Sequence, residues 1–214
     1  MAQAAPLVVD RLVVSSEAPA HPEGLPAEAL RAIELATSDI ISAIGEDPAR
    51  EGLADTPMRV ARAYAELLEG YRQDLQTVVN GALFPVEYGA EELVVVADIE
   101  YNSMCEHHML PFTGRVHAAY LPRDRVIGLS KIPRIVDMYA KRLQIQERLA
   151  NEIADAIDGV LDARGVMVVV EGRHSCASLR GVKKHGTNML TTARRGAFVT
   201  DAALRDEFYR LIGR

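Results

Sequence analysis

Both cysteines of this chain stand beside histidines, in Cys105-Glu106-His107-His108 and in His174-Ser175-Cys176. Cys105, His108 and Cys176 would fill three corners of a zinc tetrahedron and leave the fourth for water, the arrangement of a catalytic rather than a structural site. His107 and His174 neighbour those ligands, and a neutral imidazole that titrates near physiological pH can carry protons. The combination points to hydrolysis.

Other readings of the same residues stand beside this one. Two cysteines can form one disulfide or lie as inert buried thiols. A structural zinc takes four protein ligands, and His107 or His174 could supply the fourth. Glu106 reads as a surface carboxylate or as one that orients an imidazole.

The rest of the composition narrows the partners. At 214 residues, 49% hydrophobic and 25% charged, the chain can build one sizeable globular core. No apolar run approaches the roughly 18 residues of a membrane span. Asp10 and Arg11 interrupt the apolar stretch near the N-terminus and no basic segment precedes it, so no signal peptide is expected. The expected location is the cytoplasm, whose reducing conditions favour metal-bound or free thiols. A net charge of −6 argues against nucleic acid as a partner. Basic residues nonetheless gather in two segments, Lys131, Arg134, Lys141, Arg142 and Arg148, then Arg173, Arg180, Lys183 and Lys184 around Cys176. Beyond a solvated face, such clusters suit a small polyanionic substrate.

The elements that must position these groups are legible in outline. Residues 1–25 lack periodicity and read as a flexible tail. A helix is expected from about Pro26 to Gly45. A second begins at Asp55-Thr56-Pro57 and ends before Gly70, with Val60, Ala63, Leu67 and Leu68 as its apolar stripe. Together they define an N-terminal helical region, 26–90, ahead of a catalytic domain, 91–214. In the latter, Glu92–Glu100 and Gly114–Leu121 read as antiparallel strands with Pro111-Phe112-Thr113-Gly114 turning between them. Ser130 would cap a helix Lys131–Leu143. Another helix spans Gln146–Ala163, with Leu149, Ile153, Ile157 and Val160 or Leu161 on one face. Val166–Glu171 and Ala197–Thr200 read as strands, and Asp201–Ile212 as the last helix. The expected class is α+β, a ββααββ antiparallel sheet with helices on one face.

Four ordered blocks resemble the GTP cyclohydrolase I family: Ser103-Met104-Cys105-Glu106-His107-His108; Val126-Ile127-Gly128-Leu129-Ser130-Lys131-Ile132; Arg142-Leu143-Gln144-Ile145-Gln146-Glu147-Arg148-Leu149; and His174-Ser175-Cys176 through Arg180-Gly181-Val182. Asp55-Thr56-Pro57-Met58-Arg59 also looks like that family's helix start, and the resemblance runs from about Ala32 to the C-terminus. His185-Gly186-Thr187-Asn188-Met189 departs from the serine- and threonine-rich stretch expected after the Arg-Gly-Val block. The resemblance implies the tunnelling fold, assembled as a homodecamer of two stacked pentamers. It implies conversion of GTP and water to 7,8-dihydroneopterin triphosphate and formate, the entry to tetrahydrofolate or tetrahydrobiopterin.

Carried over position by position, Cys105, His108 and Cys176 would hold Zn2+, with His107 and His174 as acid/base groups. Glu147, with Gln146 beside it, would face guanine. Ser130, Lys131, Arg134 and Arg180 would line the triphosphate pocket, with Arg59 contributed by a neighbouring subunit. The chemistry agrees: zinc lowers the pKa of a water it holds to roughly 7. A carboxylate accepts from guanine N1–H and its amine, which adenine cannot match. Blander roles remain for several residues: Ser130 as a helix cap, Gln146 as helix surface, Arg148 in an ion pair, Arg59 solvated. Two other functions compete, a nitrile-reducing or other purine- or pterin-binding enzyme of the same fold, and a non-catalytic zinc-stabilised assembly protein. The first would call for a nicotinamide cofactor, and no dinucleotide fingerprint appears.

Overall fold

A computed structural model describes residues 24–86 and 92–214. Its strands are β1 (Leu83–Pro85), β2 (Val94–Cys105), β3 (Pro111–Leu121), β4 (Arg125–Ile127), β5 (Leu143–Gln144), β6 (Gly165–His174) and β7 (Met189–Gly196). Its α-helices are α1 (Ala27–Ala43), α2 (Thr56–Leu67), α3 (Leu75–Val79), α4 (Lys131–Ala140), α5 (Gln146–Leu161), α6 (Ser175–Ser178), α7 (Ala197–Thr200) and α8 (Ala202–Leu211). The flexible-tail reading of residues 1–25 falls almost wholly outside the described residues.

The sheet grows outward from its most apolar strand. The run Val166-Met167-Val168-Val169-Val170 is buried throughout, as suits a strand covered on both faces. The five-stranded order is β5-β2-β3-β6-β7, antiparallel except for the short β5, which runs parallel to β2. With α4 and α5 between β3 and β6, the ββααββ order of the sequence reading is present in this mixed α/β chain. Alternation along β6 divides the core. Val166, Val168 and Val170 pack with Ile132, Ile135, Leu149, Ile153 and Ile157 from α4 and α5. Met167 and Val169 point the other way, into a cluster with Ala119, Phe198 and Phe208. Helices therefore cover part of both faces, a correction to the single helical layer expected, because a strand apolar at every position must find partners on each side.

Several boundaries differ from expectation for identifiable reasons. Pro111–Gly114 is strand, not turn: Pro111 opens β3, where a missing N–H costs little, and Gly114 pairs with Tyr101 and Gly172. A Cβ at Gly114 would collide with the Glu171 carbonyl, so this glycine serves close strand approach. The turn lies instead at Glu106–Leu110, closed by Cys105 N–H to the Leu110 carbonyl (2.9 Å) and Met109 N–H to the Cys105 carbonyl (2.8 Å). α4 stops at Ala140, three residues early, and Leu143–Gln144 pairs with β2. Ala197–Thr200 is one helical turn that buries Phe198, and the strand precedes it at Met189–Gly196. That strand's mixed polar sequence hid it, since much of it is exposed. On α2 the buried residue is Ala61, while Ala63 and Leu67 are exposed. Helix α3 and the β1–β4 ribbon carried no clear sequence signal; the ribbon joins the region before residue 90 to the sheet-bearing part.

Candidate active site

The three candidate ligands arrive from separate elements. Cys105 is the last residue of β2 and buried, and its register against Gln144 of β5 fixes where the following turn begins. Glu106 N–H donates to the Gln144 carbonyl (3.0 Å), and the turn then brings His108 back beside Cys105. Pairing of Phe112 with His174 aligns the end of β6 with the start of β3, which delivers Cys176 on α6. The ligand atoms of Cys105, His108 and Cys176 all lie within 4.8 Å of one another. Both cysteines are free thiols. Burial pushes the Cys176 thiol pKa up, and the adjacent Cys105 pushes the same way, so two thiolates here call for a cation. The donor set of two sulfurs and an imidazole fits a borderline-soft divalent metal. Neither His107 nor His174 joins this group among the described residues, which leaves a fourth position open.

Surrounding contacts hold the cluster. Arg148 pairs with Glu106 and donates to Gln144 Oε1 (3.1 Å), bracing the turn from the first turn of α5. The Arg180 guanidinium lies 2.9 Å from His108 Nε2. Arginine only donates, so this contact uses the single lone pair of a neutral imidazole. A metal on His108 and the Arg180 contact therefore exclude each other. His107 is exposed, its ring edge-on to His108 at a centroid distance of 6.4 Å.

His174 is the most constrained of the histidines near the cluster. Its ring stacks on Phe112 at 4.4 Å with planes 6° apart, and Nε2 lies 2.9 Å from Gln146 Oε1. Burial lowers its pKa, and the charge of Glu147 opposes that in part. Gln146 is only 1% exposed, so the helix-surface reading is wrong: its position at the start of α5 points it into the sheet, where its amide nitrogen reaches the Val170 and Met189 carbonyls. Glu147, next in sequence, is exposed.

The expected phosphate residues are spread around the start of α4. Ser130 occupies the N-cap position, but its hydroxyl makes no capping bond and is exposed, so the capping reading does not hold. Lys131 is buried, with Nζ 3.0 Å from the Val78 carbonyl in the last turn of α3. Arg134 is exposed one turn further on. Arg59 pairs with Asp55 across one turn of α2 at 3.2 Å, with both side chains exposed. In the divergent loop, Asn188 donates to Glu171 Oε2 (3.3 Å). Sequence reasoning missed Phe112 and Gly172, which shape the surroundings of His174; their only signal was proximity to the cysteine motifs in strand register, invisible without the pairing.

Comparison with known proteins gives the same answer. Residues 33–213 match the family model described as GTP cyclohydrolase I. The chain is 54% identical over 176 residues to GTP cyclohydrolase 1 2 of Pseudomonas putida, covering 82% of this chain and 94% of that one. It is 54% identical to GTP cyclohydrolase 1 of Pseudoalteromonas atlantica (83% and 95% covered). Identity to the enzyme of the same name from Methylococcus capsulatus is 53% over 182 residues (85% and 97%). A match over nearly the whole described chain, with the cysteine and histidine blocks inside it, places the protein: it belongs to the GTP cyclohydrolase I family.

Proposed function

We propose that this chain hydrolyses and rearranges GTP to 7,8-dihydroneopterin triphosphate and formate, the first step of tetrahydrofolate or tetrahydrobiopterin biosynthesis. The observation that carries this reading is the convergence of Cys105, His108 and Cys176 within 4.8 Å. Those three residues would hold Zn2+, which when bound acidifies water for attack on the purine at neutral pH.

The remaining steps belong to side chains. His107, exposed beside the cluster, donates a proton to the ring nitrogen that departs as the imidazole opens. His174 delivers a proton to the ribose ring oxygen. Glu147 accepts from guanine N1–H and the exocyclic amine, and adenine leaves that carboxylate unpaired. Ser130, Lys131, Arg134 and Arg180 bind the triphosphate, Arg180 being available once His108 serves the metal, and Arg59 joins them from a neighbouring subunit. The sheet then belongs to the tunnelling fold, closed into a ring and stacked as a homodecamer in the cytoplasm, with neither nucleic acid nor membrane as partner. No helix among the described residues is long and apolar enough to cross a membrane.

Zinc-loaded protein incubated with GTP should release formate in step with a pterin that fluoresces as neopterin after oxidation and dephosphorylation, while ATP gives neither. GTP recovered intact would overturn the assignment.

A further inference from the structure

The side chain of Gln146 has both of its donors committed. Its amide nitrogen lies 3.0 Å from the Val170 carbonyl and 2.9 Å from the Met189 carbonyl. Both are acceptors, so the NH2 group must face them, and the atom 2.9 Å from His174 Nε2 must be the amide oxygen. An amide oxygen only accepts. The neutral His174 ring therefore carries its hydrogen on Nε2 and its lone pair on Nδ1. Stacking on Phe112 at 4.4 Å and 6° holds the ring plane against rotation. Gly172 completes the arrangement, because a Cβ there would collide with Gln146 Oε1 and come within 2.8 Å of the Tyr101 hydroxyl. Both amide hydrogens are engaged and the side chain is only 1% exposed, so Gln146 has no donor left and no open face for a guanine edge.

We propose that Gln146 is a positioning residue that locks His174 as the Nε2–H tautomer, so that Nδ1 alone exchanges protons at the site, and that it makes no contact with the base. This rests on the cyclohydrolase reading above. A proton taken up at Nδ1 gives an imidazolium protonated on both nitrogens. Its transfer from Nδ1 to the ribose ring oxygen restores the same neutral tautomer, and the Nε2–H bond to Gln146 is never broken. Without the lock, part of the neutral population would hold its lone pair on the wrong nitrogen and the ring could turn.

Direct and kinetic measurements test the lock separately. In zinc-loaded wild-type protein labelled with 15N-histidine, solid-state NMR should show His174 with a protonated Nε2 and a bare Nδ1; the His174→Asn sample identifies its signals by their disappearance. The opposite tautomer in wild type overturns the proposal however any variant folds. Gln146→Met keeps the chain length and burial while removing the acceptor, and Gly172→Ala displaces the amide without touching its chemistry. Both should lower kcat by about 100-fold with unchanged KM for GTP and unchanged metal content. A raised KM with kcat intact in Gln146→Met would overturn the proposal in favour of a base contact. Wild-type protein that releases no formate from GTP would sink the cyclohydrolase reading alone, since the tautomer is read from the spectrum without turnover.

Discussion

His108 has one lone pair to give, and two groups compete for it. Arg180 holds it at 2.9 Å in this structure, whereas a metal shared with Cys105 and Cys176 would take it and release the Arg180 guanidinium. Ligand loss is then expected to act first on metal and only through it on catalysis. Cys105→Ser and Cys176→Ser should each lose bound zinc, measured by atomic absorption, along with formate release. Full zinc content in both variants would remove them from the ligand set. Chemistry and recognition should also separate. His107→Ala leaves the ligands and phosphate contacts in place, so equilibrium binding of GTP should persist while single-turnover formate release falls by about 100-fold or more. Glu147→Gln turns one acceptor into a donor facing the base's own N–H groups, and should weaken GTP binding by about 10-fold or more. If His107→Ala kept its zinc but bound no GTP, or Glu147→Gln bound it unchanged, the two roles would have to be withdrawn.

At the scale of elements, the site depends on how β2, β3 and β6 register. Gly114 lets β3 approach β6, and a Cβ there would drive into the Glu171 backbone, which cannot retreat as a flexible side chain would. Gly159 of α5 is the opposite case. A Cβ there meets nothing within 4 Å, and its φ is not in the left-handed region. Alanine there gains helix propensity and reduces the freedom of the unfolded chain. We expect Gly159→Ala to stabilise by about 0.5–1 kcal/mol and Gly114→Ala to destabilise by more than about 2 kcal/mol. Thermal melts should thus move in opposite directions. A Gly114→Ala protein that melts with wild type would mean the strands can separate at no cost, against the close pairing described.

For the whole molecule, the sheet edges are what the single chain leaves incomplete. β7 pairs only with β6 among the described residues, and β5 covers only Met104 and Cys105 at the outer edge of β2. Long unpaired edges invite addition of further strands, and ring closure removes both at once. Leu35, Ile40 and Ile44 of the first helix and its cap are also exposed, at 51%, 62% and 73%. A homodecamer would account for the edges by pairing between subunits and for the apolar helix face by a second contact. Light scattering should give a native mass of about ten chains. An active monomer would contradict the assembly and with it the placement of Arg59 in a neighbour's site.

Residue chemistry was legible in sequence because cysteine and histidine are scarce and their spacing is meaningful without a fold: Cys105, His108 and Cys176 could be grouped before any strand was placed. The helices α4 and α5 and the strand β6 were legible too, since apolar side chains repeating over that length leave water only by burying a helix face or a whole strand. What only tertiary structure decided was anything set by pairing across the sheet. Pro111–Gly114 looks like a turn to local propensity, yet β6 turns it into strand. Gln146 looks like the surface of a helix terminus, yet the closeness of Gly172 lets its amide reach across to His174. Hydrogen-bond partners distant in the chain, not the residues themselves, fix which nitrogen holds the proton, and no reading along one dimension contains them.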